Sequence, residues 1–491
     1  MTSNLLLRDV RVVGVTTPTV DAAVDVLVEA GVVTAVDRGL VAPAGTPEVA
    51  ADGRWLVPGL WDQHVHLGEW VRAAQRVDFS ATTTPEDVLR IVAERVASRP
   101  GEPLVGFGHR SGTWGRAVTV AELDAVAGGT PVVLVSGDVH HGWVGSAALR
   151  ALGLAPRDTV ISEDEWFAVY ARLGDLTGGP ATSPAAYRAA LDAAAALGVV
   201  GLVDLELDDN TRVWPERWAG AANGLRIRAA SYADDLDAVI GRGLHTGDPL
   251  PGCGGLATVG PLKIISDGSL NTRTAWCCAP YADGHRLEHP SGHPNLPANE
   301  LEALMRRAAA HGLEVATHAI GDAAVHRAVE TYARTGARGS IEHVQLADPE
   351  DLAVMGRLGV RASVQPAHLL DDHAIIDDLW PDRGDRCFSF RTMLDAGVDV
   401  VLGSDAPVSP LDPWLSMAAA VRRGTGPEPW HAEQSLDARE ALAASVDGQP
   451  TVQPGSRGDL VLLDADPLAV DLLQVGVEAT YVAGAEIFSR T

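Results

Sequence analysis

Pro58-Gly59-Leu60-Trp61-Asp62-Gln63-His64-Val65-His66 is an apolar run that ends in two histidines one residue apart. On an extended strand residues i and i+2 share a face, so His64 and His66 present two imidazoles to one point in space. That placement suits a divalent cation, although an isolated His-x-His is more often a pair of ordinary polar residues. The rest of the chain decides between the two.

Downstream of this run strands and helices alternate, the pattern of βα units around a parallel sheet. Eight buried segments, at 60–66, 199–207, 226–232, 258–266, 313–318, 339–344, 360–365 and 399–405, predict an α/β fold. The expected architecture is a (β/α)8 TIM-type barrel spanning 59–439. The stretch from about 70 to 195 then becomes an insertion after the first strand, with strands at 104–109 and 132–138 and helices at 85–98 and 119–127. Insertions after barrel strands stand at the C-terminal face, where barrel active sites are built, so this one is expected to act as a lid and substrate wall.

Short β-branched runs at 5–13 and 22–36, turning at Glu29-Ala30-Gly31, return only at 459–464 and 479–484. They predict one small β domain made by both chain ends, 1–58 plus 440–491. Inside the barrel, Asn299 with Glu302 reads as a capping box. Asp348-Pro349 and Asp412-Pro413 read as N-caps followed by proline, and His326 as a solvated helix residue.

At the C-terminal ends of the barrel strands the titratable residues form a set: His64 and His66, Lys263, Thr317-His318, Glu342-His343 and Ser404-Asp405. Four imidazoles and a carboxylate are the nitrogen and oxygen ligands that zinc and its neighbours prefer. Composition narrows the partners. A net charge of −27 disfavours nucleic acid and anionic membranes. Four cysteines without a C-x-x-C pair indicate neither a thiolate metal site nor a disulfide framework, which fits a reducing cytoplasm. The run from Met1 to Arg11 is broken at Arg8 and Asp9 and has no basic leader, and no eighteen apolar residues run together, so neither export nor a membrane span is expected. Of 38 basic residues all but Lys263 are arginine.

These residues resemble the metal centre of the amidohydrolase superfamily. Lys263-Ile264-Ile265-Ser266-Asp267-Gly268-Ser269-Leu270, Thr317-His318-Ala319-Ile320-Gly321-Asp322, Ile341-Glu342-His343 and Gly403-Ser404-Asp405-Ala406-Pro407 are similar to the YtcJ-like branch, which includes N-substituted formamide deformylase. The resemblance covers essentially the whole chain. It implies the barrel with a composite β-sandwich, one or two divalent metals (zinc above all), and hydrolysis of a non-peptide C–N bond in an amide, N-formyl or cyclic amide. The metal ligands it implies are His64, His66, Lys263, His318, His343 and Asp405. The mechanism it implies is attack on the carbonyl by metal-activated hydroxide, with Asp405 expected to move the proton to the leaving nitrogen.

The lone lysine acquires a reason, since in two-metal relatives the lysine of the fourth strand becomes a carbamate that bridges the ions. That reaction needs a neutral amine, favoured by burial beside positive charge.

In the insertion, Asp138-Val139-His140-His141-Gly142-Trp143 is similar to a substrate-side D-x-H-x-x-W segment, which implies substrate contacts from His140 and Trp143. Gly145 stands where relatives often carry asparagine. Glu163 matches a pocket glutamate, with Glu165 as the competing register. His368 after the seventh strand faces the pocket or makes a structural hydrogen bond. Arg273, with Asp267, orders the loop after the fourth strand or steadies an oxyanion. Trp114, Trp143 and Trp276 hint at a small-molecule substrate with an apolar or aromatic group. His285, His289 and His293 read as surface residues.

The nearest alternatives use the same centre as an esterase, lactonase or carbamate hydrolase. A nucleobase-type deaminase fits less well, and a metal-free, non-catalytic scaffold would be expected to lack ligands. A homodimer is compatible with the resemblance.

Overall fold

The computed structural model describes residues 3–490 apart from positions 18, 20, 21, 75, 178–181, 427 and 450. Met1 and Thr2, where the N-terminal reading begins, lie outside them.

Eight parallel strands form the central sheet: β1 (Leu60–Val65), β2 (Val199–Asp204), β3 (Arg226–Ser231), β4 (Ala257–Ile265), β5 (Val315–Ala319), β6 (Gly339–His343), β7 (Arg361–Val364) and β8 (Val400–Leu402). They pair in sequence order. Beyond the last residue of β8 the sheet closes on β1, where the Asp405 amide donates to the His64 carbonyl at 2.7 Å and the His66 amide to the Ala406 carbonyl at 2.9 Å. Closure is possible because Gly403 lacks a side chain; a Cβ there would stand 2.8 Å from the Cβ of His64. The strands read as nearly unbroken apolar runs because both faces are covered, one by the barrel interior and one by helices.

The chain ends build a second sheet. Leu5–Val12, Val24–Glu29, Val32–Asp37, Glu48–Ala50 and Trp55–Pro58 join Leu460–Leu463, Val477–Val482 and Ala485–Ser489, with Trp55–Pro58 antiparallel to Leu460–Leu463. Leu7, Val26, Val28, Leu56, Leu460, Leu462 and Tyr481 share one buried core, so neither end is complete without the other. The helix Ala438–Ala443 is cut by a boundary at 440, yet its Ala441 and Leu442 belong to the barrel's core.

Between β1 and β2 stands the insertion. Its five strands order as Ile161–Ser162, His141–Val144, Val132–Ser136, Leu104–His109 and Val77–Asp78, and two apolar cores of its own flank the sheet. Three helices concern the site: α1 (Leu67–Ala73), α2 (Pro85–Ser98) and α3 (Glu163–Tyr170).

Two local expectations need correction. The helix Ala298–Ala310 has Pro297 at its N-cap without a side-chain cap, so Asn299 and Glu302 make no capping box. Asp348 precedes its helix but turns its carboxylate to Arg386 instead of capping. Asp412 does cap, accepting from the Trp414 and Leu415 amides. Among the described residues no helix is long and apolar enough to cross a membrane.

Candidate metal centre

His64 and His66 leave the end of β1 on one face, as their spacing requires, and meet Asp405, which follows β8. The Oδ1 of Asp405 lies 3.3 Å from the Nε2 of His64 and 3.4 Å from the Nε2 of His66. Its other oxygen lies 3.8 Å from the Nε2 of His368, on the turn after β7. Two groups of ligand atoms result, His64–His66–Asp405 and His343–His368–Asp405, each within 4.8 Å across, with the carboxylate common to both. The backbone is left-handed at His343 (φ 72°) and at Asp405 (φ 57°). Such conformations cost about 1–3 kcal/mol each and persist where surrounding structure over-determines them. Here they turn both side chains toward the barrel axis.

Donor chemistry fits a divalent cation. The Nδ1 of His343 and the Nε2 of His368 are buried without a hydrogen-bond partner among the described residues, a cost that a cation would remove. Burial and the neighbouring His318 hold the His343 ring well below the usual imidazole range, in the neutral form that ligates metals. Burial favours the neutral form of Asp405, but the surrounding imidazoles outweigh it and keep its carboxyl well below the usual range. Lys263, on β4, is buried with its Nζ 3.2 Å from the Nε2 of His64. Burial lowers its pKa, against the opposing pull of Glu342 and Asp405.

His318 stands beside this set. Its ring lies 4.4 Å from that of His343, centroid to centroid, while its Nε2 is 3.2 Å from the Gly268 carbonyl and 3.4 Å from Asp267. Asp267 also accepts from the amides of Trp276, Ile320 and Gly321, so it orders the loops after β4 and β5.

Glu342 is the partner that sequence inspection left unassigned. Its Oε2 lies 2.7 Å from the Nδ1 of His64, and Ser340 donates to its other oxygen at 2.5 Å. A carboxylate behind a ligating imidazole fixes the ring and raises its basicity toward metal. Despite burial, His64 holds the Glu342 carboxyl down to about 2. The quoted motif Ile341-Glu342-His343 contained the only signal for it.

The centre opens into a cavity of about 420 Å³ between the barrel mouth and the insertion. His140 lines it, with its Nδ1 3.0 Å from Glu163. Burial opposes protonation of this ring, but the Glu163 hydrogen bond and charge prevail and lift its pKa to about 9. The register ambiguity resolves structurally: Glu163 meets His140, whereas Glu165 pairs with Arg157 at 3.0 Å.

The tryptophans do not line this cavity. Trp114 and Trp143 pack in the insertion's own core, with the Trp143 indole donating to the Thr119 carbonyl, and Trp276 lies under Arg327. Arg273 also turns away, to Asp283 at 2.8 Å and the Asn271 carbonyl at 3.1 Å. The apolar wall consists instead of Val139, Phe167, Leu270, Ile320, Leu370 and Ile375. A tryptophan in a sequence marks a large apolar contact, and a core satisfies it as well as a pocket.

The chain matches the model of the Amidohydro_3 family, described as the amidohydrolase family, over residues 48–488. It is 27% identical to the YtcJ amidohydrolase of Bacillus subtilis (strain 168) over 498 residues, covering 91% of each chain. It is 26% identical to the N-substituted formamide deformylase of Arthrobacter pascens, covering 99% of each. Among solved structures, an uncharacterized metal-dependent hydrolase from Pyrococcus horikoshii OT3 superposes with a TM-score of 0.76 at 25% identity, covering 96% of this chain and 99% of that one.

Proposed function

The chain belongs to the amidohydrolase family, and on that premise we propose that it hydrolyses a non-peptide carbon–nitrogen bond, in an amide, N-formyl or cyclic amide, with one or two divalent metal ions. The observation that carries this most directly is the carboxylate of Asp405 held in common by two groups of metal-compatible side chains. Zinc suits the imidazole-rich set. His64, His66 and Asp405 would hold one ion, and His343, His368 and Asp405 the other, with His318 joining through its second ring nitrogen. A bound divalent cation supplies Lewis acidity, polarising an acyl carbonyl and making water a stronger acid.

The protein's own groups do the rest. Asp405, ionised among imidazoles, accepts the proton of the attacking water on a carboxylate oxygen and returns it to the departing nitrogen. Glu342 holds the His64 ring in place through its Nδ1. His140, fixed by Glu163, donates a hydrogen bond into the cavity from the insertion side, so the insertion serves as lid and substrate wall. Neutral Lys263 can take up carbon dioxide as a carbamate, losing a proton. An apolar wall around a few polar groups suits a small molecule with an apolar or aromatic substituent.

The test is metal content by elemental analysis, on the native protein and on Lys263→Ala, paired with assays on matched N-formyl amides and esters. Near two ions per chain, falling in the variant, with amide cleavage, is the expected result. One ion untouched by the substitution removes the carbamate. Ester cleavage alone makes the protein an esterase, and absence of metal makes it a non-catalytic scaffold.

A further inference from the structure

A second cavity, of about 910 Å³, adjoins the catalytic one and shares Glu69, Phe167, Tyr170 and Leu207 with it. Three arginines line it, Arg72 on α1, Arg76 just beyond α1 and Arg95 on α2, in a chain whose net charge is −27. Their counter-charges are incomplete. Arg72 is committed to Glu69 and, at 3.1 Å, to Glu206. The Arg76 side chain is only 9% exposed, and among the described residues its nearest carboxylate is that of Glu69, 3.6 Å away at Oε2. It also donates to the Tyr170 hydroxyl at 2.8 Å, and its guanidinium lies 5.1 Å from the centre of the Tyr170 ring. Arg95 has no carboxylate partner among the described residues. The remaining acid on this wall, Asp175, is exposed and turned to Arg172 at 3.4 Å.

With Asp175 taken up by Arg172, the three arginines share the two carboxylates of Glu69 and Glu206 across a half-open cavity, and the surplus is one positive charge. The Arg76 side chain is largely buried and Arg95 half-buried, and drawing such cations out of water without a full counter-charge is costly. Arg95 lies in the last turn of α2, three residues after buried Val92, beside an apolar face that continues to Val96. Of the residues common to the two cavities, Phe167, Tyr170 and Leu207 offer apolar surface beside the carboxylate of Glu69, which Arg72 neutralises.

We infer that the second cavity is a subsite for a carboxylate that the substrate carries at the far end of an apolar spacer, received by Arg76 and Arg95. The planar guanidinium fork matches a carboxylate with two parallel hydrogen bonds. This rests on the hydrolase function proposed above and narrows its substrates to N-acyl or N-formyl compounds with a terminal carboxylate.

The experiment uses metal-replete, full-length enzyme and N-formyl-ω-amino acids of graded chain length, each beside its neutral methyl amide. At the best length the acid should exceed the amide in kcat/KM by about tenfold or more, through KM. Arg95→Gln should bring that ratio toward one, with metal content as the check on folding. Equal kcat/KM for acid and amide, or a preference that survives Arg95→Gln, overturns the subsite while leaving the hydrolase standing. If no N-acyl compound is cleaved, the proposed reaction fails instead. Calorimetry with an ω-phenylalkanoate then decides the subsite: binding by the native protein that Arg95→Gln weakens supports it, and absent or unaltered binding overturns it.

Discussion

Histidines gather in two regions of this molecule, and among the described residues those of one region alone converge on a shared carboxylate. At the barrel mouth His64, His66, His343 and His368 point at one carboxylate, Asp405. In the insertion His109, His140 and His141 lie near Asp138, and each bonds a different partner through one nitrogen, while the Nδ1 atoms of His109 and His141 are buried without a hydrogen-bond partner among the described residues. His109 bonds the Leu134 carbonyl at 3.2 Å, His140 bonds Glu163 at 3.0 Å, and His141 bonds the Ser111 hydroxyl at 2.6 Å. Among the described residues both metal-compatible groups belong to the barrel. Residue type is the same in the two regions; convergence is not. Parallel barrel strands deliver their last residues to one axis, while adjacent residues such as His140 and His141 at the start of a strand diverge.

That contrast is open to direct attack. The largest effect is expected from Asp405→Asn, which removes the carboxylate common to both groups: metal content should fall and kcat/KM should drop by about 10³-fold or more. Elemental analysis with steady-state kinetics checks it, and a variant that keeps its metal and its rate would dissolve the barrel cluster as a centre.

Glu163→Gln should leave metal content intact and lower kcat/KM by about tenfold, because it loosens His140 without touching a ligand. It also carries a pH signature. The folded pKa of His140, about 9, lies above the ordinary 6.5, so the pair's stabilisation is complete below the lower value and lost as pH rises through the higher one. The Tm difference between native and variant protein should be large near pH 6 and gone near pH 10. A difference independent of pH would mean that Glu163 does not hold the ring in its protonated form.

The smallest effect is expected from Trp143→Phe. It deletes the hydrogen bond to Thr119 and some packing volume in the insertion's core, at about 1–2 kcal/mol in denaturant unfolding, with KM unchanged. A raised KM would return Trp143 to the substrate wall.

Much of the barrel was legible because buried parallel strands write themselves as apolar runs, and ligands at their ends carry distinctive side chains. Glu342 was not legible as a partner of His64, since neighbours on a regular strand face opposite sides. The left-handed turn at His343 breaks that alternation and lets Glu342 and His343 serve the same centre. His368 was legible only as a pocket residue, because its meeting with Asp405 depends on how the turn after β7 folds over the barrel. The tryptophans misled for a plainer reason, as burial in a core and burial against a substrate ask for the same side chain.

Local periodicity determined the alternation of strands and helices, the i, i+2 geometry of His64 and His66, and a single lysine among arginines. Those depend on backbone spacing and side-chain chemistry alone. Closure of β8 onto β1, which carries Asp405 to His64, and the packing of α1 and α2 with the rest of the insertion, which leaves Arg76 and Arg95 short of counter-charge, were decided only in three dimensions. Both join residues far apart in the chain, and such contacts follow from how whole elements pack and not from any local pattern.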